Sequence, residues 1–131
     1  MKLNEQLQIG DFVKHKELNK IMTVEELRRD DTVVLLDGLQ ASVEDIEPIP
    51  LTVEILEKNF KPFEFEGQTY YDYSTDFADV SISEFTDGLW EVKIDEIEFG
   101  GLPTWKMYVC DVHQLQHAFR MACIFDVNIK I

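Results

Sequence analysis

The residues of this chain best suited to metal or nucleophile chemistry are Cys110, His113 and His117. Thiolate and imidazole are good zinc ligands. A helix beginning at Cys110 would align all three, because i, i+3 and i+7 share a helix face. That face lies opposite the apolar stripe Val112, Leu115 and Phe119, beside Gln114 and Arg120, so it reads as the solvent side of the helix. No fourth ligand stands out. Cys110 with His113 is also a nucleophile–base pair in principle, but no residue pattern supplies an orienting group or an oxyanion hole. There is no glycine-rich phosphate loop, no Gly-x-Ser-x-Gly and no His-Glu-x-x-His. No catalytic residue, metal or cofactor is expected.

Carboxylates are the other abundant chemical group. Glu64, Glu66, Asp72, Asp76, Asp79 and Asp87 fall within one stretch, yet their spacing fits no calcium loop. Most alternate with apolar residues, which marks the wet face of a sheet better than paired acids for proton transfer. Phe63, Phe65, Tyr70, Tyr71, Tyr73 and Phe77 are interleaved with them. About half of these rings should enter a core. The remainder, beside carboxylates, suits a basic protein surface, since tyrosine and arginine dominate interface energetics. The expected interaction surface is Glu64, Glu66, Tyr70, Tyr71, Asp72, Tyr73, Asp76 and Asp79.

Charge supports that expectation. The 131 residues include 12 Lys and Arg against 26 Asp and Glu, a formal net charge of −14. Residues 51–100 hold 3 bases and 13 acids, whereas residues 1–50 hold 6 and 11 and residues 101–131 hold 3 and 2. Phosphate backbones and anionic membrane surfaces both recruit Lys and Arg, so neither nucleic acid nor membrane is an expected partner. A basic protein is the natural complement. Lys14, His15, Lys16 and Lys20, with Arg28 and Arg29, form a modest basic cluster. The segment around them is still net acidic, and a nucleic-acid module ranks last. No apolar run approaches a membrane span, and the N-terminus lacks the apolar core of a signal peptide. A cytoplasmic location is expected. With only Cys110 and Cys123, no disulfide framework is expected.

Hydrophobic residues make up 45% of the chain, too many for a disordered polymer. The elements that position these groups begin with strands. Phe12–His15, Ile21–Leu27, Thr32–Leu36 and Leu39–Val43 read as strands, with Glu17–Lys20, Asp30-Asp31 and Asp37-Gly38 as turns. Thr23-x-x-Glu26 also matches a capping box, but the β-formers from Ile21 to Val24 favour a strand. Four or five short strands in so few residues suggest a small SH3-like barrel over residues 1–47. Glu47-Pro48-Ile49-Pro50 is an extended joint.

Residues 48–131 are expected to form an α+β domain of order α-β-β-β-α-β with a largely antiparallel sheet. Thr52 is the N-cap of a short helix, Leu51 and Leu56 its hydrophobic staple, and Asn59 a left-handed terminus. Lys61–Gly67 reads as a connector and Thr69–Tyr73 as a strand. The next two arms form a hairpin whose apolar match places Val80 opposite Ile94, Ile82 opposite Val92 and Phe85 opposite Leu89. Gly88 then supplies the left-handed residue of a bulge. The same register sets Glu84 against Trp90, an acid facing an indole that the pattern leaves unexplained. Glu96–Phe99 continues the arm until Gly100–Pro103 breaks it. Trp105–Val109 leads into a helix with Val112, Leu115, Phe119 and Ala122 on one face. Phe125–Ile131 alternates apolar and polar residues as a half-buried terminal strand.

Three motifs carry a resemblance. They are Ile9-Gly10-Asp11-Phe12-Val13, the joint Asp45-Ile46-Glu47-Pro48-Ile49-Pro50-Leu51-Thr52 followed by Ile55-Leu56-Glu57-Lys58-Asn59, and Val112-His113-Gln114-Leu115-Gln116. Together they resemble a family of small proteins from Bacteroidetes bacteria and their mobile elements, over nearly the whole chain. The resemblance implies a barrel-like start and an α+β remainder, and no particular activity. It also implies helix-to-sheet hydrogen bonding for His113. Similar sequences carry Asn-Gly-Phe where Asn59 here meets Phe60, and Asn in place of His117. The function these readings favour is a non-enzymatic acidic interaction module for a basic protein partner. A small enzyme or metal-dependent hydrolase is the alternative.

Overall fold

A computed structural model of the chain describes residues 3–28, 30–76, 78–96, 105–122, 124 and 127–131. The fold is sheet-dominated α+β with two antiparallel five-stranded sheets. Backbone contacts group the chain into two units, Met1–Ile49 with Asp111–His113, and Pro50–Cys110 with Gln114–Ile131.

In the first unit a single helical turn, α1 (Leu3–Gln6), precedes β1 (Phe12–His15), β2 (Lys20–Leu27), β3 (Thr32–Leu35), β4 (Gln40–Ser42) and β5 (Ile46–Glu47). The ambiguous stretch after Ile21 is strand, as its β-formers require. Sheet order is β4-β3-β2-β1-β5. β2 serves two neighbours by bending: Lys20–Thr23 pair with β1, and a bulge between Val24 and Glu26 precedes pairing with β3. Asp37 (φ 73°) and Gly38 (φ 78°) turn β3 into β4, and the chain makes a 3₁₀ turn at Val43–Asp45 before β5. Alternate residues fill one core: Leu7, Val13, Met22, Val24, Val33, Leu35, Ala41 and Ile46, with Leu3, Leu27, Leu39 and Val43 at its margin. Asp11 is fully buried; one carboxylate oxygen accepts from the Gln8 N–H at 2.7 Å, which fixes the turn entering β1. The Val112 N–H donates to the Ile49 carbonyl at 2.8 Å.

The second unit opens with α2 (Val53–Asn59). Thr52 caps it, accepting from the Ile55 N–H at 3.3 Å, and Leu51 and Leu56 are buried as a staple requires. There follow β6 (Lys61–Phe65), β7 (Gln68–Ser74), β8 (Ala78–Thr86), β9 (Leu89–Glu96), β10 (Trp105–Val109) and α3 (Val112–Met121). The strands form a meander in the order β10-β9-β8-β7-β6. Val80, Ile82, Trp90, Val92 and Ile94 line its buried face. Phe60 and Phe119 stack there at 5.8 Å, and Tyr73 meets both edge-on at 6.3 and 6.0 Å. Leu115, Ala118, Phe119 and Ala122 are buried, so the apolar stripe of α3 lies where its periodicity puts it.

Several expectations need correction. Among the described residues the second unit runs α-β-β-β-β-β-α. Lys61–Gly67 is no connector: β6 pairs with β7 through a two-residue turn at Glu66 (φ 52°) and Gly67 (φ 80°). This strand escapes the sequence pattern because it is an edge. All five of its residues are exposed and it contains Pro62, which an edge strand tolerates. Trp105–Val109 is likewise a strand, paired with β9. The hairpin register holds at Val80–Ile94, Ile82–Val92 and Glu84–Trp90, but the last pair is Thr86–Leu89 and Phe85 is bulged out. Asn59 is not among the residues with positive φ, and Phe60 ends the helix in an extended conformation.

Residues 127–131 are not assigned to a strand, although their burial alternates about a buried Ile129. Their partner is a side chain. The Asn59 amide donates to the Lys130 carbonyl at 2.7 Å and accepts from the Lys130 N–H at 2.6 Å, so one carboxamide stands in for a neighbouring strand. Phe77, Ile97–Thr104, Cys123, Phe125 and Asp126, on which further expectations fell, lie outside the described residues, as does Arg29.

Candidate functional site

The period-two geometry of a strand splits the expected interaction surface across two faces. Register places Tyr71 in a row with Pro62, Ile82, Val92 and Met107, and Tyr73 in a row with Val80, Ile94 and Trp105. Both rows belong to the buried face. Tyr71 is only 4% exposed and Tyr73 is half-buried against Phe60 and Phe119; neither lies on a flat outer surface. Glu64 shares this face but is exposed at the edge, and Glu66 sits in the β6–β7 turn. Tyr70, Asp72 and Asp79 point the other way, and Asp76 lies exposed between β7 and β8.

The outer face is aromatic and of mixed charge. Lys61, Asp72, Ser81, Lys93 and Lys106 form one row across it, and Phe63, Tyr70, Ser83, Glu91 and Tyr108 the next. Phe63, Phe65, Phe85 and Tyr108 are each about half exposed or more, and the last two approach to 5.0 Å. Three lysines on this face dilute the acidity read from the linear sequence.

Two acids from different elements, Glu57 and Glu84, meet at a cleft on the other side. It has a volume of about 430 Å³ and is lined by Val53 and Glu57 of α2, Gly67, Gln68, Thr69 and Tyr71 at the start of β7, and Glu84 and Trp90 of the central hairpin. Each wall has a local cause. The cap at Thr52 starts α2 so that Ile55 and Leu56 face inward, leaving Val53 and Glu57 outside. The Trp90 indole N–H donates to the Leu51 carbonyl at 3.1 Å, pinning the ring beneath the helix start. Tyr71 meets Trp90 edge-on at 6.5 Å. The Gln68 side-chain amide donates to the Glu84 carbonyl at 2.8 Å, holding β7 and β8 together at the cleft rim. Burial, and then the negative charges of Glu57 and Glu84, raise the Tyr71 phenol above its ordinary value, so it stays protonated.

Of the cleft-lining residues, sequence reasoning singled out only Tyr71 as a surface contact. The missed signal is the mismatch at Glu84. An acid directly across from a core indole is tolerated because the two line an opening.

The Cys110, His113 and His117 set is not brought together on a solvent face. Cys110 precedes α3 and is exposed, and its N–H donates to the Gln114 side chain at 2.7 Å. His113 is fully buried and His117 half-buried. Burial raises the Asp111 carboxyl above its ordinary value, an effect that His113 partly offsets. Among the described residues no three His, Cys, Asp or Glu side chains are grouped to hold a metal ion. Four members of the basic cluster of the first unit are engaged internally. Lys14 lies 4.0 Å from Glu47, Lys16 donates to the Glu44 carbonyl at 2.9 Å, Arg28 reaches Glu26 at 3.3 Å, and buried His15 accepts from the Leu18 N–H. No helix among the described residues is long and apolar enough to cross a membrane. Comparison with protein-family models, with curated proteins and with solved structures gives no match.

Proposed function

We propose that the chain is a non-enzymatic, acidic interaction module whose second unit binds a basic protein partner. One observation carries this reading. Glu57, Glu64, Glu66, Asp72, Asp76, Asp79, Glu84 and Asp87 are all exposed, and the ion pairs Lys14–Glu47 and Arg28–Glu26 involve none of them. Exposed carboxylates in excess of cations raise the local negative potential, and a basic partner relieves it. The aromatic side chains beside them offer the apolar contact that charge alone does not supply.

The first unit fits an SH3-like role as the accompanying scaffold. The strand order β4-β3-β2-β1-β5, the bulged β2 shared by two neighbours and the 3₁₀ turn before β5 support that assignment.

The test is retention of lysate proteins on the immobilised 131-residue chain at low salt, beside an unrelated acidic protein of matched charge. The expected result is a small set of basic proteins, absent from the control and eluted below ~0.5 M salt. A retained set identical to the control's, or binding indifferent to ~0.5 M salt, would show that this charge pattern does not select a partner.

A further inference from the structure

We infer that the cleft between α2 and the β7–β8 rim receives the guanidinium of an arginine side chain presented by a basic partner, with Glu57 and Glu84 as its counter-charges and Tyr71 and Trp90 as its aromatic wall. The inference rests on the acidic-module reading and names the site and the chemistry it selects.

Two independent features point to a ligand. The first is the pairing of Glu57 and Glu84, from different elements, around one opening of about 430 Å³, within the range of small-ligand sites. The second is Tyr71. Its side chain is more than nine-tenths buried and lines the cleft, and its hydroxyl makes no hydrogen bond to another described residue and stays open to solvent. The Trp90 N–H, by contrast, is satisfied by Leu51. A phenol oxygen that opens to solvent without a protein partner accepts readily from a guanidinium N–H or its accompanying water.

The lining also discriminates among cations. A small divalent ion needs several oxygen ligands in close, regular geometry, whereas two carboxylates across an opening of this size suit a large, weakly hydrated cation. Guanidinium donates to both acids through its fork of N–H groups and meets the exposed rim of Tyr71 and Trp90, which a compact ammonium does less well. Each pair is partly screened by solvent, so affinity for one arginine is modest and becomes useful as part of a longer contact.

The experiment is fluorescence anisotropy of a labelled arginine-rich peptide with the 131-residue chain at ~50 mM salt, against the same peptide with citrulline, in which a neutral urea replaces the guanidinium. Two charge-matched double variants are compared, E57Q/E84Q in the cleft and E17Q/E25Q at exposed acids of the first unit. The expected result is binding of the arginine peptide over the citrulline peptide, weakened about tenfold in E57Q/E84Q and at most about twofold in E17Q/E25Q. Y71F should weaken it by a further few-fold, because the hydroxyl contact is lost. Arginine-peptide binding that E57Q/E84Q leaves unweakened would overturn the cleft while leaving the acidic-module reading intact, and equal weakening by both double variants would reduce it to a general charge effect. No binding of the arginine peptide would remove both. Equal binding of the citrulline peptide, or displacement by millimolar Ca²⁺ or Mg²⁺, would show that the cleft does not select guanidinium.

Discussion

Tyr71 lies far deeper in the fold than its neighbours in the sequence suggest. Lying between Tyr70 and Asp72, it looks like part of an exposed aromatic and acidic run. In the sheet it faces Ile82, and its phenol is held neutral by burial and by the nearby Glu57 and Glu84. This has a consequence for stability. A phenol whose pKa is raised on folding stays protonated where the unfolded chain has already lost its proton. Its contribution is therefore complete below about pH 10 and falls as pH rises through the folded value. Urea titrations between pH ~9 and ~11.5 should show stability declining, and Y71F should flatten that decline. An equal slope in the two proteins would mean that Tyr71 ionises as it does in the unfolded chain.

At the level of elements, the hairpins depend on a few left-handed residues. Gly88 adopts φ 78°, and a Cβ built there meets nothing within 4 Å. The cost of Gly88→Ala is therefore backbone strain alone, about 1–2 kcal/mol. Gly88→Asn should cost less, because asparagine tolerates this region. Thermal denaturation of both variants checks the order; equal midpoints for Ala, Asn and the parent would remove the conformational argument. The apolar alternation of β8 and β9 predicts their central register because a one-residue slip would exchange their buried and exposed faces. It fails at Phe85 for the complementary reason. Phe85 is exposed, burial places no demand on it, and turn geometry decides the final pair. β6 was invisible on the same grounds, since an edge strand exposed along its whole length leaves no hydrophobic period to read.

For the molecule as a whole, the question is what holds segments distant in sequence together. Asn59 and Lys130 lie 71 positions apart and are joined through both polar atoms of one carboxamide; the same amide also donates to the Ile55 carbonyl at 2.7 Å. Asn59→Ala removes all three bonds. It should cost about 1–3 kcal/mol and release the Lys130 amide to rapid hydrogen exchange, leaving the β8–β9 amides protected. A Lys130 amide that stays protected in N59A would mean that Ile129 burial alone anchors the terminus. The alternation of residues 127–131 correctly indicated half-burial, yet no local pattern reveals that the partner is an asparagine side chain.

The amino-acid sequence alone determined the α+β class, the first four strands, the cap and staple of α2, the apolar stripe of α3 and the concentration of acids in the middle of the chain. These follow from local rules: side-chain period, turn chemistry and capping act over a few neighbouring residues. Tertiary structure decided which acids meet. Glu57 and Glu84 belong to different elements and share an opening only because α2 lies over the sheet where Trp90 bonds to Leu51. It also decided that Tyr71 turns inward, that His113 is buried and that three lysines temper the outer face. Charge and burial at a site depend on distances in space, and the sequence records only distances along the chain.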